Sequence, residues 1–384
     1  MAMVLYMPWC RIDHDYPVGD ITILPFEPAR QPTDLDDGAW SRACTILGTH
    51  KDINGNPVDR AAVIQYAGRA LMDDLSDAEI HTAGDLVALA CFAGIASREY
   101  FRPHFRYCNS DCFTFYLQKW DGSGSTFIST RRRDGRSLSG WPLSRVAVSV
   151  PVHCHAIKDV AIDQTLLDGL ILHRAASSDR EWGRWQNSVA CFNLANTDSE
   201  TIREHVEWVL LSSAFEHLLE AKPEAKDVAR LFEAMLVPHA TITAAGSICQ
   251  SGRSSPPNVS LRHEWMREFY RVRGDFAHGK LASQQPMAWK SCEHLMLATI
   301  GFPLIAKLLL AGAGRYQFTE DDSLQIDCFE ALADTPDFFV PPADAKGSWD
   351  SKWGRLLEQR RGDLATEKFR SELLRWENPG ESRG

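Results

Sequence analysis

The chain has 384 residues, enough for two or three domains at about 100–200 residues each. Its 44% apolar and 24% charged residues are the composition of a folded rather than a disordered protein. The net charge of −10 excludes a protein that coats nucleic acid through a globally basic surface, though not a local basic site.

In chain order, residues 1–160 read as a mixed α/β domain with a small antiparallel sheet. The N-terminus, Met1–Cys10, lacks the basic-then-apolar layout of a signal peptide. Asp20–Phe26 alternates and then meets Pro25 and Pro28, which predicts a short or edge strand. Asn54-Gly55-Asn56-Pro57 predicts a turn. Ala61–Met72 and Ala83–Ala96 read as helices. Cys112–Lys119 reads as a strand turned by Asp121-Gly122-Ser123-Gly124 into a second at Ser125–Thr130, and Val146–Val152 as a third. Arg131-Arg132-Arg133 and Arg136 form a basic loop after that pair: a solvated loop, or a contact for RNA or a partner. Neither a Walker loop nor a G-x-G-x-x-G is present.

From 161 to 330 the periodicity is helical and predicts a bundle. Helices are expected over Val160–Ala176, Trp182–Ala195 and from about Asn196 to Ala221, the last opened by Thr197 with Glu200 or by Asp198 with Thr201. Lys226–Leu236, Ser260–Ala277 and Pro286–Ala311 complete the set, with Gln250–Asn258 as a loop and Gly279 as a C-cap. The longest apolar run, around Ile300–Leu310, holds Pro303 and Lys307 and is too short for a bilayer. The expected location is therefore cytoplasmic, with no membrane. Residues 331–384 read as a Pro-rich linker, Thr335–Lys346, and a charged amphipathic helix over Asp350–Trp376. The tryptophans of that tail, Trp349, Trp353 and Trp376, are expected to pack back on the bundle or to bind a partner.

Ten cysteines spread over the chain read as buried thiols rather than a disulfide framework. His104, Cys108, Cys112, His153, Cys154 and His155 hold enough donors for zinc, but their spacing is loose and the expectation is no metal and no cofactor. Glu320-Asp321-Asp322 and the Asp73–Asp77 region read as acidic surface or helix caps, not as a two-metal nuclease set.

The sharpest chemical signal is Tyr270-Arg271-Val272-Arg273-Gly274-Asp275-Phe276-Ala277-His278-Gly279. Residues 251–280 carry Arg253, Arg262, Arg267, Arg271, Arg273 and Lys280 against Glu264, Glu268 and Asp275, a local excess of positive charge. Arginine offers a planar donor fork for phosphate oxygens, and histidine exchanges a proton near neutral pH. Together they suffice for metal-independent RNA cleavage: one moves the proton at the 2′-hydroxyl or the leaving 5′-oxygen, the other stabilises the phosphorane-like transition state. Five residues along an ideal helix separate the two side chains by roughly 140°. A distortion near Gly274, or a two-fold dimer, is needed to bring such groups around one cleft.

This segment resembles the signature of the HEPN superfamily in its Apea-like branch: an Arg, four to six residues, then His, near one end of a bundle helix. Ala214-Phe215-Glu216-His217-Leu218-Leu219 is similar to the family's acidic upstream helix. The resemblance covers roughly residues 165–315. It implies a dimerising all-α bundle behind the mixed domain, an α+β chain overall, with RNA cleavage at the dimer seam. Arg273 and His278 would be the catalytic pair, with Arg271 as the rival arginine. Glu216 would orient the arginine. Asp275 would stand in for the polar residue that active members often carry where this chain has Gly274, and Arg267 and Lys280 would touch RNA. The implied role is an endoribonuclease for single-stranded RNA or tRNA, in antiviral defence or as a toxin-like effector, with the N-terminal domain sensing a protein or phage-derived trigger or holding the nuclease in check. The alternative is a non-catalytic scaffold that binds RNA, a nucleotide or a protein.

Overall fold

The computed structural model describes residues 2–31, 37–71, 73–100, 106–120, 125–154, 157, 159–236, 243, 259–279, 287–335, 337–338 and 352–377. The chain is mixed α+β. It divides into two compact units, 1–210 and 211–384.

In the first unit, strands β1 (Ala2–Met7), β2 (Tyr16–Val18) and β3 (Ile21–Phe26) precede helix α1 (Asp37–Leu47), β4 (His50–Lys51), β5 (Ala61–Tyr66) and α2 (Asp77–Ala96). Then come β6 (Tyr116–Trp120), β7 (Ser125–Arg132), β8 (Gly135–Pro142), β9 (Val148–Ser149), α3 (Gln164–Ala176) and α4 (Asp179–Ala195). Seven strands form one antiparallel sheet in the order β2-β3-β5-β1-β6-β7-β8. Strands β4 and β9 pair separately, in parallel. Alternation along the strands sends Val4, Tyr6, Phe26, Ala61 and Val63 into a cluster with Trp40, Ala43, Ile46 and Leu47 of α1. Met3, Leu5 and Met7 are buried as well, so β1 is covered on both faces. Helix α2 packs against α3 and α4, with Phe92 and Phe192 edge-to-face at 5.4 Å.

Several sequence expectations are corrected here. Ala61–Met72 is not a helix: Ala61–Tyr66 is an interior strand between β3 and β1. A short apolar run has the same signature as a buried helix turn until its partners are known. Asp20–Phe26 is not an edge strand, because β2 lies outside it. Cys112 and Phe113 belong to a 3-10 turn, and the strand starts at Tyr116. Val146–Val152 contributes only the short β9, outside the main sheet. Arg131, Arg132 and Arg136 lie within β7 and β8 rather than in a loop. The predicted turn at 54–57 is present, with Asp52 Oδ1 accepting from the Asn54 and Asn56 amides and Gly55 at φ +82°.

Close packing at α2 gives a direct prediction. A Cβ on Gly94 would lie 2.5 Å from Cζ of the buried Phe113. Gly94→Ala is therefore expected to destabilise the protein by about 1–3 kcal/mol, read as a lower thermal midpoint, despite the better helix propensity of alanine.

A second prediction concerns His50. Its ring sits among Tyr6, Trp9 and Tyr116 at centroid distances of 5.2, 5.8 and 5.2 Å. Thr49 Oγ1 donates to the Ile46 carbonyl at 2.7 Å and so accepts from His50 Nδ1 at 3.3 Å. Among the described residues Nε2 has no hydrogen-bond partner. Burial holds the imidazole at a pKa of about 4, against 6.5 ordinarily. The folded state therefore keeps His50 neutral while the unfolded chain protonates it. Stability is full above pH 6.5 and declines as pH falls toward 4, by about 3 kcal/mol in total. In His50→Phe that part of the acid slope is expected to vanish from urea titrations across this range.

In the second unit, the end of α5 (Glu204–Leu219) is followed by α6 (Ala225–Met235), α7 (Leu261–Ala277), α8 (Ser291–Gly312), α9 (Glu320–Ala333) and α10 (Lys352–Glu377). Its core is aromatic: Phe215 meets Phe232, Phe269 and Phe302, and Trp265 stacks on Phe269 at 5.6 Å. The sequence places its boundary at 160/161, whereas the contacts place theirs at 210/211, because α3 and α4 pack against α2. Helix α5 begins at Glu204, later than either predicted cap; Thr197 Oγ1 instead closes a turn on the Ser199 amide. At α9, Thr319 and Asp322 form a capping box, and Asp322 also takes Lys307 Nζ at 2.9 Å. Helix α8 starts at Ser291, later than the expected Pro286, and ends at Gly312. By length and composition both α2 and α8 are long enough to cross a bilayer, with 56% and 67% of their apolar windows buried within the protein.

Helix α10 follows α9 at its start, where Trp353 is buried and Arg361 pairs with Asp321 at 2.6 Å, and residues 362–370 are exposed. The predicted turn at 121–124, the loop at 250–258, and Lys280, His104, His155 and Trp349 lie outside the described residues, as does most of the Pro-rich linker.

Candidate functional site

The Arg-x4-His segment lies at the end of α7. Ser260 caps the helix start by accepting from the His263 amide at 3.2 Å. At the other end His278 is the C-cap, its amide bonded to the Gly274 carbonyl at 3.1 Å, and Gly279 follows at φ +76°, a conformation that favours glycine. The closing His-Gly of the motif is thus a helix stop. It sets the His278 side chain in solvent, where among the described residues its ring makes no hydrogen bond.

Arg273 lies less than two turns earlier and is held by a neighbouring helix. Glu216, on α5, places Oε2 3.7 Å from Arg273 Nη2. The same oxygen accepts from the Tyr270 hydroxyl at 2.5 Å. Tyr270 and Arg273 are three residues apart, so they share a face of α7. The guanidinium carbon lies 5.2 Å from the Tyr270 ring centroid, a cation–π distance. Burial and then the Glu216 carboxylate push the Tyr270 phenol well above its ordinary value, so it stays a donor. Arg273 remains 26% exposed, and its Nε is buried without a hydrogen-bond partner among the described residues. One edge of the fork is anchored while donor capacity is left over.

The other predicted residues are placed differently. Arg271 pairs with Asp275 at 3.7 Å, one helical turn on. Asp275 therefore serves the rival arginine rather than Arg273. Arg267 binds Glu264 at 2.7 Å. Arg262 is not on the surface: it is 1% exposed and forms a double-stranded pair with Glu330 of α9. Glu268 accepts from His294 Nε2 and from the amides of Ala288 and Trp289. Each described arginine of α7 thus has a carboxylate beside it, and the local positive excess read from the sequence is largely neutralised. A Cβ at Gly274 would meet nothing within 4 Å, so close packing is not the reason for glycine there.

Tyr270 was visible in the sequence only as the aromatic before the motif. Its spacing of three from Arg273 was the available signal for a shared role. Glu330 carried no local signal, being 68 residues from its partner.

The cysteine–histidine cluster is partly assembled. Cys112 and Cys154 bring their sulfurs to 4.0 Å, and both donate to Asn109 Oδ1 at 3.3 Å. His153 turns to Asp111 at 2.6 Å instead. Burial, first, and the neighbouring Cys154 push the Cys112 thiol well up, which disfavours the thiolate that zinc needs. Among the described residues no three His, Cys, Asp or Glu side chains are grouped to hold a metal.

No protein-family model, curated protein or solved structure matches the chain.

Proposed function

We propose that the helical unit is an endoribonuclease of the HEPN type, acting through Arg273 and His278 without a metal. The observation that carries this reading is the grip of Glu216 on Arg273: a carboxylate from α5 orients an arginine on α7 and leaves it part-exposed near a solvent-facing histidine. The acidic upstream helix that the resemblance assigns to this role supplies that contact.

Chemically, His278 takes the proton from a ribose 2′-hydroxyl, or delivers one to the departing 5′-oxygen, and water carries the other of these two transfers. The 2′-oxygen attacks phosphorus, the 5′-oxygen leaves, and the products are a 2′,3′-cyclic phosphate and a 5′-hydroxyl. Arg273 stabilises the charge on the phosphorane oxygens. Because the two side chains diverge along one helix, the complete site is formed by two copies related by a two-fold. The substrate class is single-stranded RNA or tRNA, and the setting is antiviral defence or toxin-like growth control in the cytoplasm. The N-terminal unit senses a protein or phage-derived trigger.

A second reading is favoured by the pairing of every described α7 arginine with a carboxylate and by Gly274: a non-catalytic HEPN protein that binds RNA, a nucleotide or a protein. The discriminating experiment is cleavage of a labelled single-stranded RNA in EDTA by wild type, Arg273→Ala and His278→Ala. Cleavage lost in both variants supports the nuclease; cleavage unchanged in both rules out this site; none by the wild type supports the scaffold.

A further inference from the structure

The sheet of the first unit ends in a ribbon. Strands β7 and β8 pair over eight register positions, from Ser125↔Pro142 to Arg132↔Gly135. Among the described residues, strand β7 joins β6 at one position, Trp120↔Thr126. Beyond Thr126 the hairpin therefore continues as two strands alone among the described residues, for about 20 Å at the usual rise per residue. Its tip is the two-residue turn Arg133-Asp134, followed by Gly135 at φ +130°.

Two features of this ribbon do not serve the pairing of its own strands. Residues 125–142 hold four arginines and one aspartate, with no lysine or glutamate, in a chain of net charge −10. Arg131 and Arg136 also occupy directly opposed register positions, where like charges weaken a strand pair. A ribbon selected only for stability would place opposite charges there. The excess suits a polyanion, and the described arginines of α7, each beside a carboxylate, are less suited to that task.

The register also sorts the ribbon's residues. By alternation and pairing, Thr126, Ile128, Thr130 and Arg132 of β7 share one face with Gly135, Ser137, Ser139 and Trp141 of β8, while Arg131 and Arg136 take positions on the other face. Trp141 is 49% exposed. Hydroxyls and arginines bind phosphate oxygens, and an exposed indole offers a platform for an unpaired base. We propose that the β7–β8 ribbon is a docking arm for single-stranded RNA: the tip arginines engage the phosphate backbone and Trp141 stacks on a base. The choice of RNA over DNA rests on the ribonuclease reading of the helical unit; the choice of a single-stranded polyanion rests on the ribbon itself.

The test is fluorescence polarisation of the full chain with a labelled 2′-O-methyl 20-mer, which lacks the nucleophile and stays intact. Arg131→Gln/Arg132→Gln/Arg133→Gln/Arg136→Gln is expected to bind at least tenfold more weakly, with a log–log salt slope flatter by about 3. Trp141→Ala is expected to lose about threefold to tenfold. His278→Ala should bind as wild type does, which separates docking from catalysis: if no cleavage is ever found but the ribbon variants lose binding, the arm stands and the nuclease reading falls. The thermal midpoint of the four-arginine variant should equal or exceed that of wild type, and Arg133→Gln alone, in the turn, gives a milder loss. Unchanged affinity and salt slope in the four-arginine variant overturn the proposal. So does displacement of the RNA by polyglutamate at equal charge concentration, which would mark an acidic protein as the partner, or tighter binding of the DNA 20-mer than of RNA.

Discussion

Glu330→Ala is expected to lower the stability of the helical unit by about 3–5 kcal/mol, read by urea unfolding of the full chain with tryptophan fluorescence. Arg262 and Glu330 are 1% and 3% exposed. The carboxylate accepts from Arg262 Nε at 3.0 Å and Nη2 at 3.2 Å, and from the Arg262 amide at 3.2 Å. Arg262 Nη1 donates to the Leu236 carbonyl at 2.9 Å. One pair thus links the start of α7, the end of α6 and α9. Its position adds a further contribution, since a carboxylate beside the first turn of α7 meets unpaired amides and the positive end of the helix dipole. Removing the carboxylate takes the two-point Glu330 pairing away from a buried guanidinium, which is the source of the large cost. The double variant Arg262→Met/Glu330→Leu should recover most of the loss, because it removes both desolvated charges together. A double variant as unstable as Glu330→Ala would mean that lost packing, not the stranded charge, dominates.

The second large effect is on cleavage. If the helical unit is a nuclease, His278→Ala should reduce single-turnover cleavage about 10²–10⁴-fold and Arg273→Ala about 10²–10³-fold, both in EDTA. Arg273→Lys should not restore activity, since an ammonium cannot hold Glu216 and a phosphate as a planar fork does. Arg271→Ala should leave cleavage unchanged, because that side chain is engaged with Asp275. Glu216→Gln keeps an acceptor for Tyr270 but loses the charge beside Arg273. That pair is about a quarter exposed on both sides and 3.7 Å apart, so its contribution is small, about 0.5–1 kcal/mol, or a twofold to fivefold loss. Gly274→Asn, which meets no neighbour, should raise cleavage if a polar group after the arginine is what the site lacks. A series in which Arg271→Ala is the damaging change would transfer the catalytic role to Arg271.

How far these features could be read from the sequence depended on the range of the interaction behind each. The α7 helix was legible to within a residue because its signals are local: Ser260 at the start, apolar periodicity between, His278-Gly279 at the end. The contact between Glu216 and Arg273 was expected from a resemblance, not from spacing, since 56 intervening residues leave no periodic trace. The charge of the motif window was misread for the same reason. Arg262 counted as a surface cation until Glu330, far along the chain, removed it. In the N-terminal unit, β5 resembled a helix because Ala61–Tyr66 is buried on an interior strand, where the alternation that marks an edge or half-exposed strand disappears. Strand β1 passed unnoticed on the same account, being apolar on both faces. The strand at Ser125–Thr130 was anticipated, but it runs on to Arg132 and pairs with Gly135–Pro142, for which no strand was expected, and so carries the arginines out of the expected loop into a register.

Among the described residues the two ends of the seven-stranded sheet are unpaired edges, and an open edge is a template on which another chain can add a strand and begin to aggregate. At one end β2 is three residues long and contains Pro17, which has no amide hydrogen to offer. At the other, an approaching copy of β8 would bring its own Arg136 alongside the first, and electrostatic repulsion would grow with every strand added. The charge concentrated on the ribbon therefore has a second consequence, independent of any ligand: it opposes the addition of a like strand at the β8 edge while the chain is folding and crowded by identical neighbours.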